Sequence, residues 1–289
     1  MKTRDKQISV LPTRRGFLAA AGASAAALAG GGTFSAVCAE EAAKKEPCPL
    51  KLGLASYTTR KFTLDETLAM ARRVGLDWIC LKSFHLELDA SPEDIAKAVE
   101  KVKAAGMVLY GGGVITMKTA ADVQQAFDYA KAAGMTTIVG APLPEVLPLV
   151  NAKVEQYDIA VAIHNHGPGD KVYPTPESII ERVGQLDKRI GLCIDIGHTL
   201  RIGADPVRDA ERFADRLLDV HIKDVTAPTA AGTTVEIGRG VIDIPAFLKT
   251  LLKINYSRVV SFEYEKDADD PLPGLAESVG YVRGVLAAI

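Results

Sequence analysis

The chain predicts an α/β fold, a (β/α)8 barrel. Three observations carry that expectation. Eight short apolar or β-branched runs recur, near residues 50–56, 76–82, 107–111, 136–140, 159–165, 190–195, 217–223 and 258–264. An amphipathic segment follows each run, and strand starts lie roughly 25–40 residues apart, the spacing of βα units. The first run leads into Ser56-Tyr57-Thr58-Thr59-Arg60 rather than a Gly-rich phosphate loop, which argues against an open doubly wound sheet.

The elements follow in order. Helical periodicity is clear over Leu64–Val74, Ile95–Ala105, Val123–Ala133, Ile179–Leu186 and Phe247–Ile254. Thr63-Leu64-Asp65-Glu66 is a capping box, in which the Thr hydroxyl and the Glu carboxylate satisfy helix N–H groups left without partners. Ser91-Pro92, Thr175-Pro176 and Asp205-Pro206 place proline just after a capping residue. Gly75, Gly106 and Gly134 close three helices where a left-handed residue is needed. The string KAAGM recurs at 103–107 and 131–135, each time ending a helix and opening a strand. Gly111-Gly112-Gly113 reads as a tight turn after the third strand, or as a place where a substrate approaches the backbone.

Residues 1–39 read as a targeting segment. Thr13-Arg14-Arg15-Gly16-Phe17-Leu18 resembles the twin-arginine export signal, an Ala- and Gly-rich stretch runs to Val37, and Val37-Cys38-Ala39 offers small residues for cleavage. The expected location is the periplasm. No stable membrane anchor is expected, since Gly30–Gly32, Thr33 and Ser35 interrupt the apolar stretch. Residues 40–49 read as a linker and 50–289 as one barrel domain. Residues 1–39 carry five positive charges (Lys2, Arg4, Lys6, Arg14 and Arg15) against Asp5, so from the chain's net −2 the remainder sums to −6. With no basic stripe, nucleic acid is not an expected partner. Cys48, Cys80 and Cys193 remain in that remainder, an odd number without a CxxC, so no disulfide framework is expected.

All five histidines, His85, His164, His166, His198 and His221, fall at or just past the C-terminal ends of strand-like runs. Neutral imidazole is a common metal ligand, and that end of a barrel carries the chemistry. Four segments concentrate it: IHNHG with His164 and His166, DIGH with Asp195 and His198, HIKD with His221, Lys223 and Asp224, and FEYE with Glu263 and Glu265. Side chains two apart on a strand share a face, so His164 pairs with His166, His221 with Lys223 and Glu263 with Glu265, while Ile163, Ile222 and Phe262 face the helices. Lys82 and His85 close the second strand in LKSFH and would flank the same mouth. Plainer readings stand beside these. Lys82 can act only as a counter-charge, His85 as a solvated loop residue, Glu265 as a rim residue, and Lys223–Asp224 as a local ion pair.

Over residues 50–289 the chain resembles the xylose-isomerase-like sugar isomerases and epimerases. Its marks are Asp195-x-x-His198, His221 on strand seven and Glu263 on strand eight. The resemblance implies one divalent metal, with manganese first and cobalt, zinc or iron as alternatives, held through Asp195, His221 and Glu263. It implies substrate contacts by His198 and by Arg239 in the loop Gly238–Asp243. It also exposes a departure. The strand-five position that carries Glu in many relatives is His164 here, giving a ligand set of two histidines and two carboxylates, which suits those metals better than calcium.

The resemblance further implies removal of a proton beside a sugar carbonyl through a metal-stabilised enediolate. The substrate would be a non-phosphorylated keto-sugar or glycoside, because export removes the enzyme from cytoplasmic sugar phosphates. Glu263, His166 and Lys82 are the candidate catalytic groups, and His198, Arg239, His85 and Lys223 the candidate substrate contacts. Alternatives are a 3-keto-glycoside lyase or dehydratase working by β-elimination, and a non-catalytic carbohydrate- or metal-binding barrel. A homo-oligomer is compatible with the sequence. A related endonuclease barrel acting at abasic DNA would need a larger, three-metal ligand set, and the net charge of −6 opposes it.

Overall fold

The computed structural model describes residues 48–289, so the expected targeting segment and most of the linker lie outside the described residues. The eight barrel strands are β1 (Lys51–Ala55), β2 (Trp78–Leu81), β3 (Val108–Met117), β4 (Thr137–Pro142), β5 (Ala160–His164), β6 (Ile190–Asp195), β7 (Leu217–Ile222) and β8 (Val259–Phe262). They close in the order β1-β8-β7-β6-β5-β4-β3-β2, every neighbouring pair parallel. This is the (β/α)8 barrel that the alternating pattern predicts. A two-stranded ribbon, Asp224–Val225 with Thr234–Val235, stands on the loop after β7.

The helices are α1 (Leu64–Arg73), α2 (Pro92–Ala104), α3 (Ala120–Ala132), α4 (Leu147–Tyr157), α5 (Pro176–Val183), α6 (Ile196–Arg201), α7 (Pro206–Arg212), α8 (Ile244–Lys253) and α9 (Leu272–Ala288). The described residues thus carry one helix more than eight βα units require. The segment after β6 is split at Gly203, which takes φ +81°, and Asp205-Pro206 then caps a fresh helix. The Thr63 capping box forms as read, with the Thr63 amide donating to Glu66 Oε2 at 2.8 Å. Gly75, Gly106 and Gly134 adopt φ of +75°, +70° and +65° at their helix ends.

Strand parity sorts the two layers. Ile163, Ile194, Ile222 and Phe262 are fully buried between barrel and helices, together with Phe127 and Phe247 from α3 and α8. A separate interior cluster includes Cys80, Tyr110, Val139, Ala162 and Cys193. Burial of these two layers supplies the main folding drive.

Gly111–Gly113 corrects the expectation of a tight turn. β3 runs on through these residues to Met117, and its pairing to β4 slips in register between Gly112 and Ile115. The glycines serve close strand packing: a Cβ on Gly113 would lie 2.1 Å from the Val139 carbonyl oxygen, and one on Gly111 would lie 2.8 Å from that of Thr137.

Candidate metal centre

Parallel pairing brings the C-terminal ends of β5, β6, β7 and β8 side by side. His164 lies beside Cys193, Asp195 beside His221, and His221 beside Ser261. One donor atom each from His164, Asp195, His221 and Glu263 therefore gathers within 4.8 Å of the others, and all four residues are buried. His164 Nε2 is 3.4 Å from Asp195 Oδ2 and 3.9 Å from Glu263 Oε2, and His221 Nδ1 is 3.2 Å from Glu263 Oε2.

The DIGH spacing has a local cause. Asp195 is both the last residue of β6 and the N-cap of α6, and its Oδ1 accepts the His198 amide at 2.7 Å. That leaves Oδ2 turned to the cluster. Asn165, which sequence reasoning quoted without a role, fixes this corner: its Oδ1 accepts the Asp195 amide at 3.0 Å and its Nδ2 donates to Thr199 Oγ1 at 3.1 Å. An Asn placed immediately after a ligand position was the available signal.

The cluster passes a test for holding a cation. Both ring nitrogens of His164 and both of His221 are buried without a hydrogen-bond partner. Buried polar atoms are rarely left so, and one donor from each of two such imidazoles beside two carboxylates fits a divalent transition ion. Burial holds the His164 imidazole down to about 3, so it is neutral and free to ligate. Burial pushes the Asp195 carboxyl up, but His198 and Lys223 outweigh it and hold the group below the usual carboxylate range. Glu263 is likewise held down, burial being outweighed by Lys223 and His221.

Lys223 is the main surprise of the site. Its Nζ lies 2.8 Å from Asp195 Oδ2, 2.8 Å from Glu263 Oε2 and 2.8 Å from Glu265 Oε1, with the side chain only 2% exposed. The local ion pair with Asp224 is not formed. Asp224 instead organises the following loop, accepting the amides of Val225 and Ile242 on Oδ1 and of Gly238 and Gly240 on Oδ2. Room for the lysine stem comes from Gly197 in DIGH, where a Cβ would lie 2.5 Å from Lys223 Cγ.

The other sequence candidates divide. The His166 ring sits 4.6 Å from that of His164, between centroids, with Nδ1 3.1 Å from Asp170 Oδ2 and the side chain 39% exposed. The His198 ring lies 5.9 Å from that of His164. Lys82 donates to the Val114 carbonyl at 2.9 Å, and burial lowers its ammonium from the ordinary lysine value. His85 and Arg239 do not join the cluster. His85 is a strut rather than a rim ligand: Nδ1 meets Ser56 Oγ at 2.9 Å and Nε2 meets the Phe62 carbonyl at 3.0 Å and Thr67 Oγ1 at 3.1 Å. Arg239 is drawn to α9, where Glu277 accepts from Nε at 2.5 Å and from Nη2 at 2.6 Å. An exposed guanidinium satisfied by a forked carboxylate has no need to face the barrel mouth.

A family model described as xylose isomerase-like TIM barrel matches residues 56–285. The chain belongs to that family. The rhizopine catabolism protein MocC of Rhizobium meliloti is 26% identical over 144 residues, spanning 45% of this chain and 44% of that protein. Among solved structures, an IolI protein with a bound zinc atom superposes with a TM-score of 0.70 at 19% identity, covering 83% of this chain and 99% of that one. An L-ribulose 3-epimerase gives 0.68 at 16% identity, covering 83% and 95%. At these identities the structures establish the shared fold.

Proposed function

We propose that this protein is a divalent-metal-dependent enzyme that removes the proton from the carbon beside a carbohydrate carbonyl. The observation that carries the reading is the gathering at the barrel mouth of one donor each from His164, Asp195, His221 and Glu263 within 4.8 Å, the two imidazoles buried with no hydrogen-bond partner on either ring nitrogen. The zinc of the IolI structure and the sugar substrate in the name of the epimerase support the metal class and the substrate class. A bound divalent ion, with manganese the first candidate, polarises a carbonyl and raises the acidity of the neighbouring C–H bond.

The chain's own residues divide the remaining work. His164, Asp195, His221 and Glu263 hold the ion. His198, beside His164, orients the substrate. Glu263 and the more accessible His166 are placed to take the proton, while its bonding electrons move toward the carbonyl oxygen. Return of the proton to the opposite face gives an epimer, and return to the adjacent carbon gives an isomer. Loss of a substituent one carbon further on, with that C–O bond breaking, gives elimination. One observation favours this last course: His164 stands where a second carboxylate would face Glu263, so the paired exchange across the sugar ring lacks one partner, while Lys82 offers an ammonium that can protonate a leaving oxygen.

The direct test follows deuterium entering the substrate from solvent, by NMR, over a panel of keto-sugars and 3-keto-glycosides. Exchange or product formation is expected with at least one member and is expected to cease after exhaustive chelation, returning with added Mn2+ or Zn2+. Full activity in metal-stripped protein would sink the reading.

Residues 1–39 are proposed to export the protein by the twin-arginine route, placing its substrate among non-phosphorylated sugars. Replacing Arg14 and Arg15 together by Lys is expected to leave the protein in the cytoplasmic fraction. Unchanged recovery from the periplasm would exclude that route.

A further inference from the structure

We propose that Lys223 is a built-in counter-cation that shares the carboxylates of the metal centre with the ion, stabilising the empty site and lowering its affinity for metal. The inference rests on the metal reading above and concerns how that site is loaded.

The argument begins with the oxygens. Lys223 Nζ contacts Asp195 Oδ2 and Glu263 Oε2, each at 2.8 Å. These are the oxygens that lie against His164 Nε2 and, for Glu263, against His221 Nδ1 as well. The ammonium and an ion held by those imidazoles would therefore draw on the same lone pairs. Two carboxylates buried without a cation would be costly, and the lysine offsets that cost when no metal is present.

A third carboxylate gives the lysine somewhere to stay. Glu265 Oε1 lies 2.8 Å from the same Nζ, and its side chain is 30% exposed against 2% for Lys223. Glu265 shares no atom with the donor set, so the lysine keeps one full counter-charge while an ion takes Asp195 and Glu263. Parity places all of this on one face, Lys223 two residues beyond His221 and Glu265 two beyond Glu263. Gly197 completes the device, since any side chain there would meet the Lys223 stem.

The test uses the full chain stripped of metal and titrated calorimetrically with Mn2+ and Zn2+, alongside thermal melts of the metal-free protein. Lys223→Met is expected to bind roughly tenfold more tightly or better, because a competing positive charge has gone, while its metal-free form melts below the parent. Lys223→Gln, which keeps an N–H donor for the carboxylates, carries the same expectation should Lys223→Met fail to fold. Equal or weaker metal binding by both variants would overturn the proposal and make Lys223 a support for the ligands. If the parent protein and both variants bind no divalent ion, the metal reading itself falls and this inference falls with it.

Discussion

His221→Ala is expected to strip the protein of bound metal and to cut turnover about a thousandfold, equivalent to about 4 kcal/mol of transition-state stabilisation. The residue sits at the centre of the donor set, 1% exposed, with Nδ1 3.2 Å from Glu263 Oε2 and its ring 4.7 Å from that of His164. Alanine removes one of two imidazoles and leaves a cavity that no neighbouring donor fills. Arg239→Ala is the informative comparison, since its guanidinium is bound to Glu277 on the outer surface. That variant is expected to retain full metal content by elemental analysis. If His221→Ala keeps stoichiometric metal, the assignment of this cluster is wrong.

Arg216→Ala is expected to lower folding stability by about 4 kcal/mol, the range for leaving several buried acceptors without a charged donor. The side chain is 4% exposed and its guanidinium holds four backbone carbonyls. Nη1 donates to Asp187 at 2.7 Å and Ile190 at 2.8 Å, and Nη2 to Gly184 and Leu186 at 2.8 Å each. These carbonyls lie between the end of α5 and the start of β6, where a helix presents its negative dipole end and favours a cation. Arg216→Lys recovers only part of the loss, because an ammonium is a point charge and cannot span the same four acceptors as a planar fork. Urea unfolding followed by circular dichroism measures it, and a change under about 1 kcal/mol would show the carbonyls finding water instead. The residue stands at the N-terminal end of β7, the stability face of a barrel rather than its catalytic face.

The two residues show what a sequence exposes. His221 was legible because its strand-end position and parity are local and survive in any barrel built from these strands, and the family resemblance gave it a metal to hold. Arg216 carried no such mark. Its partners lie 26 to 32 residues back, and an arginine beside a strand looks like any solvated charge until the loop folds over it. The same distance in sequence hid the role of Lys223, whose carboxylate Glu263 is 40 residues away, and it placed Arg239 at the site when α9 supplies a nearer anion. His85 was misread for a related reason: its end-of-strand position suggested the rim, while the turn after β1 wraps back to engage both ring nitrogens. Gly111–Gly113 looked like a turn because glycine has that use more often than close strand packing.

By itself the sequence determined the barrel, its eight strands in order, most helix boundaries, and the four residues that converge at its mouth. The barrel and its boundaries follow from periodicity, capping and alternation, each acting over a few residues, and the four residues from alternation together with the family resemblance. The tertiary structure alone decided which charges meet. Lys223 lies between three carboxylates, Asp224 ties a loop, Asn165 holds the Asp195 corner and Arg239 turns outward. Ion pairs and buried hydrogen bonds depend on distances of about 3 Å between groups far apart in the chain, and those distances exist only once the strands have closed.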